Sequence, residues 1–244
     1  MTTPRAFTLL EILAAIAVIA VLLALLLPAL ASARRTARFS SSLANHRTVL
    51  QTLAIYTLDH KDTHPYLGAA DFAHMDRPPA PMGPHHGAPP RTQERHWMMA
   101  LTRHSPDILP LLYPNRGHYE LFKERDAAAA LISGCFFPTS TLFAAPDYFS
   151  PTIPPQWNHL RPTRAREIAY PSAKMMTFDE SSVWLNTERD IEDLTRTRVT
   201  YGFADSSAAA MLETDLTGPS VERTTTLYSG PGFTTAGGVT GRDR

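Results

Sequence analysis

From Phe7 to Ala33 the sequence reads FTLLEILAAIAVIAVLLALLLPALASA, an apolar run in which Glu11 is the one charge. Taken as helix, Ile12 to Ala33 extends about 33 Å, enough to cross the ~30 Å hydrocarbon core of a bilayer. From Ser32 to about His60 the pattern changes. Leu43, Leu50, Leu53, Ala54, Thr57 and Leu58 recur at three- and four-residue steps, which predicts an amphipathic continuation with one stripe against a domain.

Residues 65–95 are rich in Pro, His and Gly and supply no repeating apolar face, so this stretch reads as a long surface excursion. Order is expected to return with Trp97–Tyr113, whose large side chains would cover a sheet, and a second apolar patch runs from Ala127 to Phe143. The last third has strand character. Lys174–Glu180 and Val183–Leu185 are short apolar runs between polar turns, and Arg196–Phe203 with Ala208–Leu212 predicts an antiparallel hairpin. The glycine-rich tail after Gly218 is expected to be loose.

The predicted architecture is α+β: a long N-terminal helix packed on a C-terminal antiparallel sheet. Its segments are an apolar helix over 7–33, an amphipathic helix over 34–64, an irregular Pro/His-rich region over 65–170, a β region over 171–217 and a flexible tail over 218–244.

Composition narrows the functional classes. Lys+Arg and Asp+Glu are equal at 23 each, so the chain lacks the basic field that drives phosphate binding, and no direct nucleic-acid partner is expected. Cys135 is the single cysteine, so no internal disulfide forms, and with no neighbouring cation to activate it the residue reads as a small buried hydrophobe. The 21 prolines, mostly between Pro65 and Pro171, fix many extended connections.

His74, His85, His86 and His96 raise the question of a metal, but no HxH, HxxxH or Cys/His spacing frames them and none is assigned. Asp179, Glu180, Asp205, Glu213 and Asp215 are the hard oxygen ligands that calcium would use, with Asp179 and Asp205 the leading candidates; acidic turn residues otherwise end strands and face water. No GxSxG, HExxH or phosphate-loop motif is present, so enzymatic activity and a cofactor are not expected.

Glu11 carries the sharpest signal. An ionised carboxylate near the end of a membrane helix favours a cation at the same depth. A cut between Ala6 and Phe7 would create an α-amino group four residues earlier, on the same helical face. Arg5-Ala6-Phe7-Thr8-Leu9-Leu10-Glu11 resembles the processing site of type IV prepilins and type II secretion pseudopilins. The resemblance implies a cleaved leader over 1–6, removal by a prepilin peptidase, N-methylation of Phe7, and a role for Glu11 in assembly. Ala6 stands where that family usually has Gly.

Asn45–Tyr56, followed by Asp59, Asp62 and Pro65, resembles the post-anchor helix of bacterial pilin-like proteins, with His46 in place of a usual Leu and Ser42 in place of a common Cys. Pro28 lies where such helices often carry a proline, and a kink is expected there. The hairpin resembles the terminal module of the same group, which has a His, nine residues and Asp-Gly; here Asp205 fits, while Thr195 replaces the His and Ser206 the Gly.

The function implied is a pilin-like or pseudopilin-like structural subunit, tilted toward a minor or specialised one by its long irregular middle. Its partners would be the prepilin peptidase and methyltransferase, sister subunits, the inner-membrane assembly platform and the bilayer. The C-terminal domain would lie outside a single inner-membrane span, although Arg34, Arg35 and Arg38 against Arg5 would by charge alone favour the opposite topology. The alternative is an exported binding protein or enzyme that uses residues 1–33 as signal peptide or anchor, with Ala29–Ala33 resembling a signal-cleavage site.

Overall fold

The computed structural model describes residues 9–67, 90–108, 111, 136–179, 198–218, 221 and 232–244. They divide into two units, one up to Ser40 and one over Ser41–Arg244. Helix α1 (Leu9–Asp59) contributes to both; α2 (Pro90–His104) and four strands belong to the second. The strands are β1 (Phe136–Pro138), β2 (Met175–Asp179), β3 (Val199–Phe203) and β4 (Ala208–Met211). They form one antiparallel sheet in the order β1-β2-β3-β4. A long N-terminal helix with a C-terminal antiparallel sheet is the α+β class that the residue pattern predicts.

The Ser41–Asp59 part of α1 lies on this sheet through a stripe that shares Leu50, Leu53 and Thr57 with the predicted one. Ser42, His46, Val49, Leu50, Leu53 and Thr57 are buried, one face at steps of three and four. Leu58 is 80% exposed and Ala54 is exposed too, so the buried stripe is rotated from the predicted one toward Ser42, His46 and Val49. The stripe accepts polar residues because the sheet answers them: the Ser42 and Thr200 hydroxyls lie 2.6 Å apart, and His46 Nδ1 is 3.1 Å from Thr177 Oγ1. Gly202 makes room for the helix, since a Cβ there would sit 2.6 Å from Thr177 Oγ1, 2.7 Å from Leu50 Cδ1 and 3.1 Å from His46 Nδ1.

A bulge in β2 gives the sheet its second polar contact. The β2–β3 register slips between Met175 and Thr177, and an extra residue at a bulge breaks the alternation of faces. Met175 and Phe178 join Val199, Tyr201 and Phe203 on one side, while Met176 packs with Leu50, Leu53 and Phe136 and Thr177 meets His46 on the other. Helix α2 covers this helix side with Trp97, Met98 and Leu101, and Trp97 Nε1 donates to the Phe136 carbonyl at 3.2 Å. The expectation that Trp97 begins an ordered cover is met; the helix begins earlier, at Pro90, within the stretch read as irregular. That region also supplies edge strand β1, too short for its period to be visible in sequence.

Two residues in the left-handed region, Lys61 (φ 55°) and Asp62 (φ 66°), follow α1. The Asp62 N–H reaches back to the Thr57 carbonyl at 2.8 Å, the six-to-one bond of a Schellman-type end made without glycine. The β3–β4 turn uses Ser206 at φ 66° where the resembling module has Gly, and Asp205 Oδ1 accepts from the Ser207 N–H at 2.9 Å.

The described end of the chain corrects the expectation of a loose tail. Thr234, Thr235, Val239 and Asp243 are buried, and Phe233 and Leu216 cover the face of the sheet away from α1. Asp243 is the bolt: its carboxylate lies 3.1–3.3 Å from Lys174 Nζ, accepts from the Met175 N–H at 2.7 Å and from the Thr235 hydroxyl, and its own N–H donates to the Ala173 carbonyl at 2.9 Å. Both side chains are fully buried, and burial lowers the Lys174 pKa and raises that of Asp243. Arg244 completes the closure, its guanidinium 3.8 Å from the Phe203 ring centre and its Nε donating to the Ser172 carbonyl at 2.7 Å. Glycines in the segment carry no apolar pattern, so the signal for this ordering was absent from the residue periodicity.

Asp243→Ala leaves the Lys174 ammonium buried without its counter-ion and should cost about 3–5 kcal/mol, whereas Lys174→Met with Asp243→Leu should cost markedly less. Urea unfolding of the full chain in detergent micelles measures both. Acid should weaken the same unit. Burial holds the His46 pKa down to about 3, partly offset by the Thr200 backbone, and that of His64 down to about 4, partly offset by Thr163. The unfolded chain binds these protons from about pH 6.5 downward and the folded one does not, so stability falls as pH drops through this window, by about 2 kcal/mol per histidine at pH 5. His46→Asn should remove one of the two protons taken up on unfolding between pH 6.5 and 5; an unchanged slope would refute the assignment.

Candidate functional site

Leu and Ala dominate the N-terminal part of α1 and lose little on becoming helical, its Ile and Val lose more χ1 freedom, and no acceptor or donor side chain interrupts the backbone ladder between Glu11 and Ser32. Every residue from Leu9 to Arg34 is exposed; Leu9 stands at 80% and Leu25 at 69%. The most apolar 18-residue window has a mean hydropathy of 3.0 and no buried residue. This helix is long and apolar enough to cross a membrane. Such a continuous apolar surface far exceeds the few hundred Å² that soluble monomers leave in contact with water.

Glu11 lies in the first turn of the described helix. Ala6 and Phe7 lie outside the described residues, as does the rest of the leader. Pro28 falls inside α1, which is helical on both sides of it. Lacking an N–H, it leaves the Ala24 carbonyl without its usual helical donor, a local weakness that packing with other helices or an internal adjustment must cover.

The leading calcium candidates, Asp179 and Asp205, belong to opposite ends of the β2–β3 ladder. The β2–β3 ladder pairs Phe178 with Tyr201 and Met175 with Phe203, so Asp179 ends the ladder opposite the turn that holds Asp205. That separation is on the order of four strand residues, about 13 Å. Asp205 Oδ1 is taken up by Ser207, and Asp215 Oδ2 accepts from the Leu212 N–H at 2.9 Å, closing the short helical turn Glu213–Asp215. Burial raises the Glu213 pKa. Among the described residues no three His, Cys, Asp or Glu side chains converge on a point that would hold a metal ion. Glu180, Cys135, His74, His85 and His86 lie outside the described residues, as do Val183–Leu185 and Thr195.

A recess in the second unit, about 420 Å³ counting the part open to solvent, is lined mainly by Leu53, Ala54, Thr57, His64, Ile168 and Met176. Its one imidazole is committed: His64 Nδ1 lies 3.0 Å from Thr163 Oγ1 and 3.1 Å from the Thr163 carbonyl. The polar groups that residue-level reading missed are structural. His46 sits at the centre of the helix–sheet contact, a place signalled only by its spacing of four from Ser42 and Leu50, and Asp243 gave no signal at all. Comparison of the chain with protein-family models, curated proteins and solved structures returns no match.

Proposed function

We propose that the chain is a pilin-like or pseudopilin-like subunit, held in the inner membrane by the N-terminal part of α1 and then packed through that helix into a fibre. One observation carries the reading: the segment from Leu9 to Arg34 is apolar and exposed on all sides, with Glu11 in its first turn as the only charge before Arg34. Lipid covers such a surface in a single subunit, and the helices of sister subunits cover it equally well in a bundle, so transfer between the two surroundings costs little apolar exposure. Register then rests on charge. Cleavage after Ala6 places the amine of Phe7 one helical turn from Glu11, within a subunit or between neighbours. A subunit seated out of register leaves that carboxylate in apolar surroundings, which is costly.

The prepilin peptidase and methyltransferase would act on Ala6 and Phe7 from the cytoplasmic side, and the α+β unit would stand on the other. No catalytic role is assigned to any residue on this reading.

Mass spectrometry of the mature protein should find an N-terminus at methylated Phe7. A mature start near Arg34 would instead mean release from a signal peptide, and retention of Met1–Ala6 in assembled material would sink the fibre reading. Glu11→Ala should leave cleavage intact while lowering recovery with sister subunits by about tenfold or more, each tenfold corresponding to about 1.4 kcal/mol of lost pairing. Undiminished recovery in a pull-down would exclude the proposed role.

A further inference from the structure

Directly after the apolar stretch the helix becomes basic, and nothing acidic along the neighbouring sequence answers it. Between Glu11 and Asp59 the chain carries four arginines, Arg34, Arg35, Arg38 and Arg47, and no carboxylate or lysine. Arg34 is exposed and pairs with no carboxylate among the described residues. Positions 34 and 38 are one helical turn apart and 35 adjoins 34, so three cations occupy barely more than a turn of α1. The nearby Thr36 hydroxyl is turned back to the Ser32 carbonyl at 3.2 Å.

Depth decides what these cations meet. If Ile12–Ala33 fills the hydrocarbon core, at about 33 Å of helix against ~30 Å of lipid, residues 34–38 emerge at the level of the headgroups. The groups at that depth are phosphates, which a planar guanidinium binds in bidentate fashion and an ammonium does not. All three cations here are arginine.

We propose that Arg34, Arg35 and Arg38 form a binding site for anionic phospholipid headgroups in the leaflet beside Ala33. The inference rests on the membrane-spanning part of the reading above and extends it to the lipid class that holds the unassembled subunit. It also gives the arginines a purpose on the side of the span where charge bias alone would not put them: they fix the helix against the leaflet, and the contacts must be given up when the helix leaves lipid.

The test uses the full chain, reconstituted from detergent into phosphatidylcholine vesicles that carry spin-labelled phosphatidylglycerol or, in a parallel sample, spin-labelled phosphatidylcholine. At low salt the motionally restricted fraction should favour phosphatidylglycerol by about fivefold per arginine engaged. The preference should collapse in the triple variant Arg34→Gln/Arg35→Gln/Arg38→Gln and shrink in high salt. Alkaline carbonate extraction of the same vesicles reports insertion separately. Equal preference in wild type and variant, with both still inserted, overturns the headgroup site and leaves the membrane reading standing. Release of the wild type by carbonate overturns both. Retardation of duplex DNA by the wild type in detergent, lost in the variant and without a phosphatidylglycerol preference in vesicles, would mark a general polyanion site and likewise end the lipid proposal.

Discussion

A single helix here has to satisfy two different surroundings. Over Leu9–Arg34 it is exposed on every side and almost wholly apolar, whereas over Ser41–Asp59 it buries one stripe against a sheet and leaves the other side wet. Water is a poor solvent for the first part, because it would have to hydrate leucine, isoleucine and valine around the full circumference. It suits the second part, whose exposed face carries Arg47, Thr48, Gln51 and Asp59. The proposed life of the chain follows from that difference: one part is free to exchange lipid for helices, and the other keeps its folded unit throughout.

What fixes the second part is polar as much as apolar. Ser42 against Thr200 and His46 against Thr177 are pairs that only one helix position satisfies, and Gly202 gives the close approach that the second needs. Apolar contacts between Leu50, Leu53, Phe136 and Met176 supply attraction without much preference for register. A shift by one residue would bury the His46 imidazole with no hydroxyl to meet it, and an unanswered buried polar group costs about 1–3 kcal/mol. The β2 bulge belongs to the same device, since it turns Thr177 to the helix side next to Met176. The Lys174–Asp243 pair ties the last residues of the chain to the strand that carries this bulge.

Charge is distributed in a way that net neutrality conceals. The 23 cationic and 23 anionic residues balance over the whole chain, yet the stretch between Glu11 and Asp59 holds arginines alone. A global count therefore argues against a broad phosphate-binding field while leaving room for a narrow basic collar, and it is the second that matters at a membrane surface, where fields decay within a Debye length of about 8–10 Å.

The apolar run at the N-terminus, the amphipathic character after it, the hairpin of β3 and β4 and the cover supplied by Trp97 were legible in the residues, because each is a local pattern repeated over at least one turn or several strand positions. The same locality exposed Glu11 and the arginine collar. Tertiary structure alone decided the rest. Strand β1 is three residues long, the bulge displaces one position, His46 is buried because a threonine faces it from 131 residues away, and the tail is ordered by a lysine 69 residues earlier. Apart from the four-residue spacing of His46 from Ser42 and Leu50, none of these leaves a period in the sequence: a buried polar side chain or a glycine-rich end looks like a solvated one until its distant partner is in place, and that partner is chosen by the fold.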